Sequence, residues 1–137
     1  MEINTCTITE DILTFYVGTL CDPQEKIGEA FDQLEHAIGS FDGRKIYGVA
    51  QLEGTEMTYK ACVKESRPGE GAELGLPYHT IPKGDYLYTV LNNWQSNMQL
   101  FRPYFQQLME HPDAKPYSFT LEDYFSSDDV KLLLLHK

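Results

Sequence analysis

One arrangement limits the folds open to this 137-residue chain more than any other: a strand–helix–strand–strand order that occurs twice, the copies offset by roughly 70 residues. In the first copy, Ile12 to Leu20 (ILTFYVGTL) is rich in aromatic and β-branched residues and predicts a strand. Asp22 and Pro23 break it, with Asp22 placed as N-cap and Pro23 as first helical residue. From there to Ile38 the apolar Ile27, Ala30, Phe31, Leu34 and Ile38 recur at three- and four-residue steps. That is an amphipathic helix, and Gly39 ends it. Two strands follow, Lys45–Leu52 and Met57–Lys64, joined by the polar turn EGTE.

After a loop punctuated by glycine and proline (66–77) the order restarts. His79–Leu91 predicts a strand with a Pro-Lys-Gly interruption, and Trp94–Met109 a helix with a kink or late start at Pro103. Tyr117–Phe125 and Val130–His136 complete the set around the turn SSDD. Identity between the copies is weak, so element order and length carry the repeat. A βαββ unit covers one sheet face with its own helix and leaves the rest of its burial to a partner. The expected fold is therefore α+β. Two βαββ modules, about 1–66 and about 77–137 of a single domain, join by pseudo-twofold repeat into one antiparallel sheet, with helices on one face and a ligand groove on the other.

Alternation sorts the residues of that sheet. Tyr117, Phe119 and Leu121 share one face, expected against the helices, and Ser118, Thr120, Glu122 and Tyr124 share the other, expected in the groove. Likewise Leu13, Phe15 and Val17 read as core-directed, leaving Thr14, Tyr16 and Gly18 opposite. A carboxylate beside a hydroxyl and an aromatic ring on one sheet face is the most informative local pattern in the chain.

Charge narrows the partners. Twenty-one acidic residues against eleven basic ones give a formal charge of −10. Nucleic-acid phosphates and anionic membranes are poor partners for such a surface, whereas small cations are drawn to it. The three cysteines, Cys6, Cys21 and Cys62, form no CxxC pair, and free thiols in a reducing compartment are expected. The opening MEINTCTITED has neither a basic nor an apolar signal region, so a cytoplasmic location is expected. His36, His79, His111 and His136 lack metal-ligand spacing, and GEGAELG has Leu74 where a dinucleotide fingerprint needs its third glycine. No metal and no cofactor are expected. Cys62, mid-strand, reads as a buried inert thiol, His36 as a helix-end surface residue, and Glu70 and Glu73 as solvated loop carboxylates.

Three stretches in order carry a family likeness: Tyr59-Lys60-Ala61-Cys62-Val63, Ile81-Pro82-Lys83-Gly84-Asp85-Tyr86 and Leu121-Glu122-Asp123-Tyr124. They resemble the Tyr-x-Ala-Cys-Val, Ile-Pro-x-Gly-x-Tyr and Glu-x-Tyr motifs of the GyrI-like family, the bacterial effector-binding domain. The likeness spans residues 45–137, while 1–44 match by element order alone. It implies the same paired-module fold and a pocket between the modules with the glutamate of Glu-x-Tyr, here Glu122, at its base. Strand parity adds Tyr16, Tyr88 and Tyr124 as aromatic liners, with Trp94 and Tyr59 beside them. No helix-turn-helix precedes the domain in this sequence, so direct DNA binding is not expected. The reading is a stand-alone binder of cationic or aromatic lipophilic molecules, a sensor or sequestering protein, with a protein partner allowed and an enzyme not expected. Two alternatives stand beside it. One is a hydrolase of cyclopropane-type electrophiles using Glu122 and a tyrosine; the other is an acidic protein-binding inhibitor of gyrase type.

Overall fold

The computed structural model describes residues 1–18, 20, 21, 27–53 and 55–137. The strands are β1 (Asn4–Ile8), β2 (Ile12–Tyr16), β3 (Leu20–Cys21), β4 (Ile46–Glu53), β5 (Glu56–Lys64), β6 (Tyr78–Ile81), β7 (Gly84–Asn92), β8 (Thr120–Asp123) and β9 (Asp129–Leu135). The helices are α1 (Ile27–Ile38), the single turn α2 (Glu70–Glu73) and α3 (Phe101–Glu110). All strands belong to one antiparallel sheet, ordered β1-β7-β9-β8-β4-β5-β2-β6, with β3 beside β2 on β5. The second strands of the two modules, β4 and β8, meet at its centre, as a pseudo-twofold repeat requires.

The local chemistry explains the boundaries. Gly18, at φ +67°, separates β2 from β3, so the long strand expected over 12–20 is interrupted. Helix α1 ends at Gly39, whose φ of +93° gives a left-handed cap and whose N–H reaches the Glu35 carbonyl at 2.7 Å. The expected helix start at Asp22 and Pro23 lies outside the described residues. Two 3₁₀ turns, Trp94–Ser96 and Met98–Leu100, precede α3, giving the late start expected near Pro103. Pro103 sits in the first turn of α3, where a missing N–H leaves no intrahelical bond unmade.

Strand β1 and the single turn α2 were not foreseen, whereas β6 and β7 are the two parts of the interrupted strand expected over His79–Leu91. Strand β1 pairs with β7 of the other module, Asn4↔Tyr88 to Ile8↔Gly84, and β6 pairs with β2, Ile12↔Ile81 to Phe15↔Tyr78. Residues 4–15 and 78–88 thus form one long antiparallel pair, bent where Pro82-Lys83 and residues 9–11 interrupt the ladder. Because β1 and β6 stand at opposite ends of the strand order yet belong to this one pair, the sheet must curl.

Curling gives the sheet two cores. Helix α1 lays Ala30 and Leu34 on Phe15, Tyr59, Ala61 and Val63, and α3 lays Phe105 and Leu108 on Leu87, Leu91, Val130, Leu132 and Leu134. On the other face Tyr47, Val49, Cys62, Ile81, Tyr86, Leu121 and Leu133 close on one another. Three expectations are corrected here. Leu13 is exposed, not core-directed. Tyr117 precedes β8 and is fully exposed in a left-handed conformation, φ +58°. Phe119 and Leu121 pack on the helix-free face. No described helix is long and apolar enough to cross a membrane.

Candidate functional site

Register places the key side chains. Gly48 stands opposite both Glu122 of β8 and Ala61 of β5, and Glu122 stands opposite Leu132 of β9. Cross-strand partners share a face, and Ala61 and Leu132 belong to the layers under α1 and α3. Glu122 therefore lies on the helix-bearing face, where the two modules join, and not on the opposite face as expected. Alternation had grouped Thr120, Glu122 and Tyr124 correctly. It did not say which group meets the helices, because the curled sheet buries apolar residues on both sides.

Glu122 is 5% exposed. The Tyr59 hydroxyl donates to its Oε1 at 2.7 Å and the Tyr124 hydroxyl donates to the same oxygen at 2.6 Å. Burial pushes the Glu122 carboxyl above its ordinary range, and the two phenolic donors oppose that only in part. Both tyrosines are themselves held well above their usual values, by burial first and then by the neighbouring carboxylate. The constellation is one acid and two neutral phenols out of water.

Aromatic rings enclose it. Phe31 of α1 makes edge-to-face contacts with Tyr59 and Tyr124, at centroid distances of 6.3 and 5.5 Å. Trp94 meets Tyr124 at 5.1 Å. Tyr124 is thus wedged between a ring from each module. The indole Nε1 of Trp94 is buried without an acceptor among the described residues. Gly48 makes room for the acid: a Cβ there would run into the Tyr59 hydroxyl and Glu122 Oε1. Its backbone is ordinary, so space and not conformation demands glycine.

Beside this cluster a cavity of about 400 Å³ opens, lined by Ala50, Leu52, Met57, Met109, Thr120 and Leu134 together with the 115–118 loop. Glu122 is not among its walls. Thr120 and Ala50, paired two residues along from Glu122 and Gly48, adjoin it on the same face.

Of the expected site residues, the structure brings together Glu122, Tyr59, Tyr124 and Trp94. It does not bring Tyr16 and Tyr88 to them. Tyr16 and Tyr88 pack with the helix-free core, and lysine ammonium groups sit over their rings, Lys60 at 5.1 Å and Lys131 at 5.3 Å. Both follow from β-parity once the facing of the sheet is reversed. Phe31 and Gly48 were missed; a glycine inside an apolar strand signals close approach and was the available clue to the second.

Other readings fare as follows. Cys62 is fully buried and its thiol is pushed up to about 12, mainly by burial, an inert sulfur. His36 is exposed at the end of α1. Glu70 is not solvated but buried, its two carboxylate oxygens gripped by Arg44 Nη1 at 3.0 Å and Nη2 at 2.8 Å. Burial alone raises its pKa, but the Ser66 N–H, the Arg44 guanidinium and the Ser66 hydroxyl outweigh that and hold it below the usual value. Exposed Glu73 pairs with Arg67. The Cys21 side chain lies outside the described residues.

A curled antiparallel sheet carrying α1 and α3 on one face, with a phenol-capped acid at the module junction, defines a mixed α+β protein that fits a GyrI-like fold. No protein-family model and no curated sequence matches the chain. Solved structures do. An integron cassette protein from the mobile metagenome of Vibrio cholerae is 18% identical with a TM-score of 0.71, the match covering 98% of this chain and 95% of that one. The protein SAV2435 bound to tetraphenylphosphonium is 16% identical with a TM-score of 0.69, covering 100% and 94%. A proposed transcription regulation protein of Staphylococcus aureus is 15% identical with a TM-score of 0.67, covering 100% and 99%. At these identities the likeness is one of fold.

Proposed function

We propose that this chain is a GyrI-like single-domain small-molecule-binding protein whose ligands are lipophilic cations or aromatic compounds held over Glu122. One observation carries the reading: a buried carboxylate at the module junction, bonded only to phenols, walled by Phe31 and Trp94 and flanked by a largely apolar cavity of about 400 Å³. Such a volume suits a small organic ligand, and a few polar groups among apolar walls is the usual make-up of such pockets. A cation about 4 Å from the carboxylate gains roughly 4 kcal/mol at an effective dielectric of 20, before desolvation is subtracted. Each well-placed ring adds about 0.5–2 kcal/mol. The fold shared with a tetraphenylphosphonium-bound protein supports the same ligand class.

The cavity stops short of Glu122, and since both phenols bond Oε1, Oε2 is the carboxylate oxygen left for a ligand. The test uses Trp94, the sole tryptophan, as reporter. Titration with tetraphenylphosphonium should change its fluorescence saturably. Neutral triphenylphosphine oxide, of similar bulk, should bind at least about tenfold more weakly, a difference of about 1.4 kcal/mol. Glu122→Gln should erase that preference for charge. Equal binding of both probes by the unaltered protein, or a preference that survives in Glu122→Gln, refutes the proposal.

A further inference from the structure

At the open end of β4 and β5 a second cavity of about 270 Å³ is lined by Gly43, Arg44, Lys45, Lys64, Glu65 and Ser66. Its character is opposite to that of the protein as a whole. The Lys64 N–H reaches the Lys45 carbonyl at 2.9 Å, extending the ladder one step past Ile46↔Val63, so the two lysines stand directly opposite each other. They share the face of Tyr47 and Cys62, where Lys60 also lies, with its ammonium over Tyr16. Like charges directly opposed across a ladder are destabilising. Among the described residues neither lysine has a carboxylate within ion-pair distance.

The carboxylates nearby are committed elsewhere. Glu65 Oε1 accepts from the Tyr78 hydroxyl at 2.6 Å and the Gly71 N–H at 3.3 Å. Glu70 is taken by Arg44 and Ser66. Asp123, partly buried between the fields of Lys45 and Lys131, makes no ion pair with either. The main chain adds a donor. Arg44 Nη2 occupies the Lys64 carbonyl at 3.0 Å, and the Lys45 N–H is left without an acceptor among the described residues. Two lysines with no ion pair among the described residues, one of them with a main-chain N–H that has no acceptor there, thus line a cavity large enough for a phosphate or diphosphate group.

We infer that this corner is an anion site for a soluble phosphate-bearing small molecule, separate from the Glu122 cluster, with which its lining shares no residue. Ammonium groups bind phosphate as point charges, and the exposure of Lys45 and Lys64 makes the interaction sensitive to salt.

The experiment is calorimetric titration of the full chain with inorganic pyrophosphate at low ionic strength, then at about 0.15 M salt, where screening falls off over about 8 Å. A single saturable site is expected, weaker in salt. Lys45→Gln and Lys64→Gln should each weaken it about fivefold or more, and together abolish it. Each should also raise Tm by about 1–2 °C as the repulsion is relieved, a readout that damage to folding would reverse. Lys115→Gln, on the helix-bearing side, and Glu122→Gln should leave pyrophosphate binding unchanged, which keeps this inference distinct from the cation site. Absence of saturable binding, or equal binding by the double variant, overturns it. So does capture by phosphatidylserine vesicles without binding of free pyrophosphate, which would assign the phosphate to a lipid.

Discussion

Gly48→Ala is the most economical test of the central cluster, because it adds one methyl group where the structure has no room. The new Cβ meets the Tyr59 hydroxyl and Glu122 Oε1, and comes within 2.9 Å of the Tyr59 ring carbon that bears the hydroxyl. None of these can retreat easily. Tyr59 is 2% exposed and Glu122 5% exposed, and β5 and β8 flank β4 on both sides. Overpacking of this kind costs about 1–3 kcal/mol. Displacing the Tyr59 hydroxyl from the acid forfeits a charge-assisted bond worth about 1.5–3 kcal/mol. Relief from glycine in a strand returns about 0.5–1 kcal/mol. The net is about 2–5 kcal/mol, a Tm drop on the order of 10 °C for a domain of this size. Differential scanning calorimetry reads it directly. Gly28→Ala is the internal control: its Cβ meets nothing within 4 Å on the exposed side of α1, so Tm should rise by a few degrees. In a Tyr59→Phe background the cost of Gly48→Ala should shrink, since the closest obstacle is gone. A Gly48→Ala Tm within about 2 °C of the parent, or a cost unchanged in that background, would refute the packing argument.

Three further outcomes are expected. With its folded pKa raised above 4.5, ionised Glu122 subtracts stability as pH rises through that folded value; Glu122→Gln should therefore be the more stable form at pH 8 and lose its advantage near pH 4, as chemical denaturation at both pH values would show. Tyr124→Phe removes a donor that lowers the Glu122 pKa, so the carboxyl resonance in NMR should titrate higher, with about 1.5–3 kcal/mol of stability lost. Arg44→Ala leaves Glu70 buried with only Ser66 to bond it and should cost about 1.5–3 kcal/mol at neutral pH; since the folded Glu70 pKa is depressed, its contribution is present above the unfolded value and lost as pH falls through the folded one, so the variant's deficit should narrow in acid urea melts.

The element order was legible because apolar spacing switches visibly between two and 3.6 along the chain, and α1, α3 and six of the strands lie where that spacing puts them. The facing of the sheet was not. Leu121 and Glu122 alternate cleanly, yet only long-range curling decides that Leu121 joins Ile81 and Tyr86 while Glu122 goes under the helices. Short β1 carries two threonines and a cysteine and shows no strong alternation, so it was invisible without its partner β7. Glu70 looked like a loop carboxylate because Arg44 lies 26 positions away, and an ion pair at that separation leaves no trace in local pattern.

The bent pairing of residues 4–15 with 78–88 means that each half of the molecule finishes the other's sheet: the first donates β1 to β7, the second donates β6 to β2. Neither half alone can satisfy its edges. Cut within residues 66–77, the chain should therefore behave as a complementing pair of fragments, stable when mixed and sticky when apart. The same exchange of strands is the one that two half-length chains would make on pairing as a dimer.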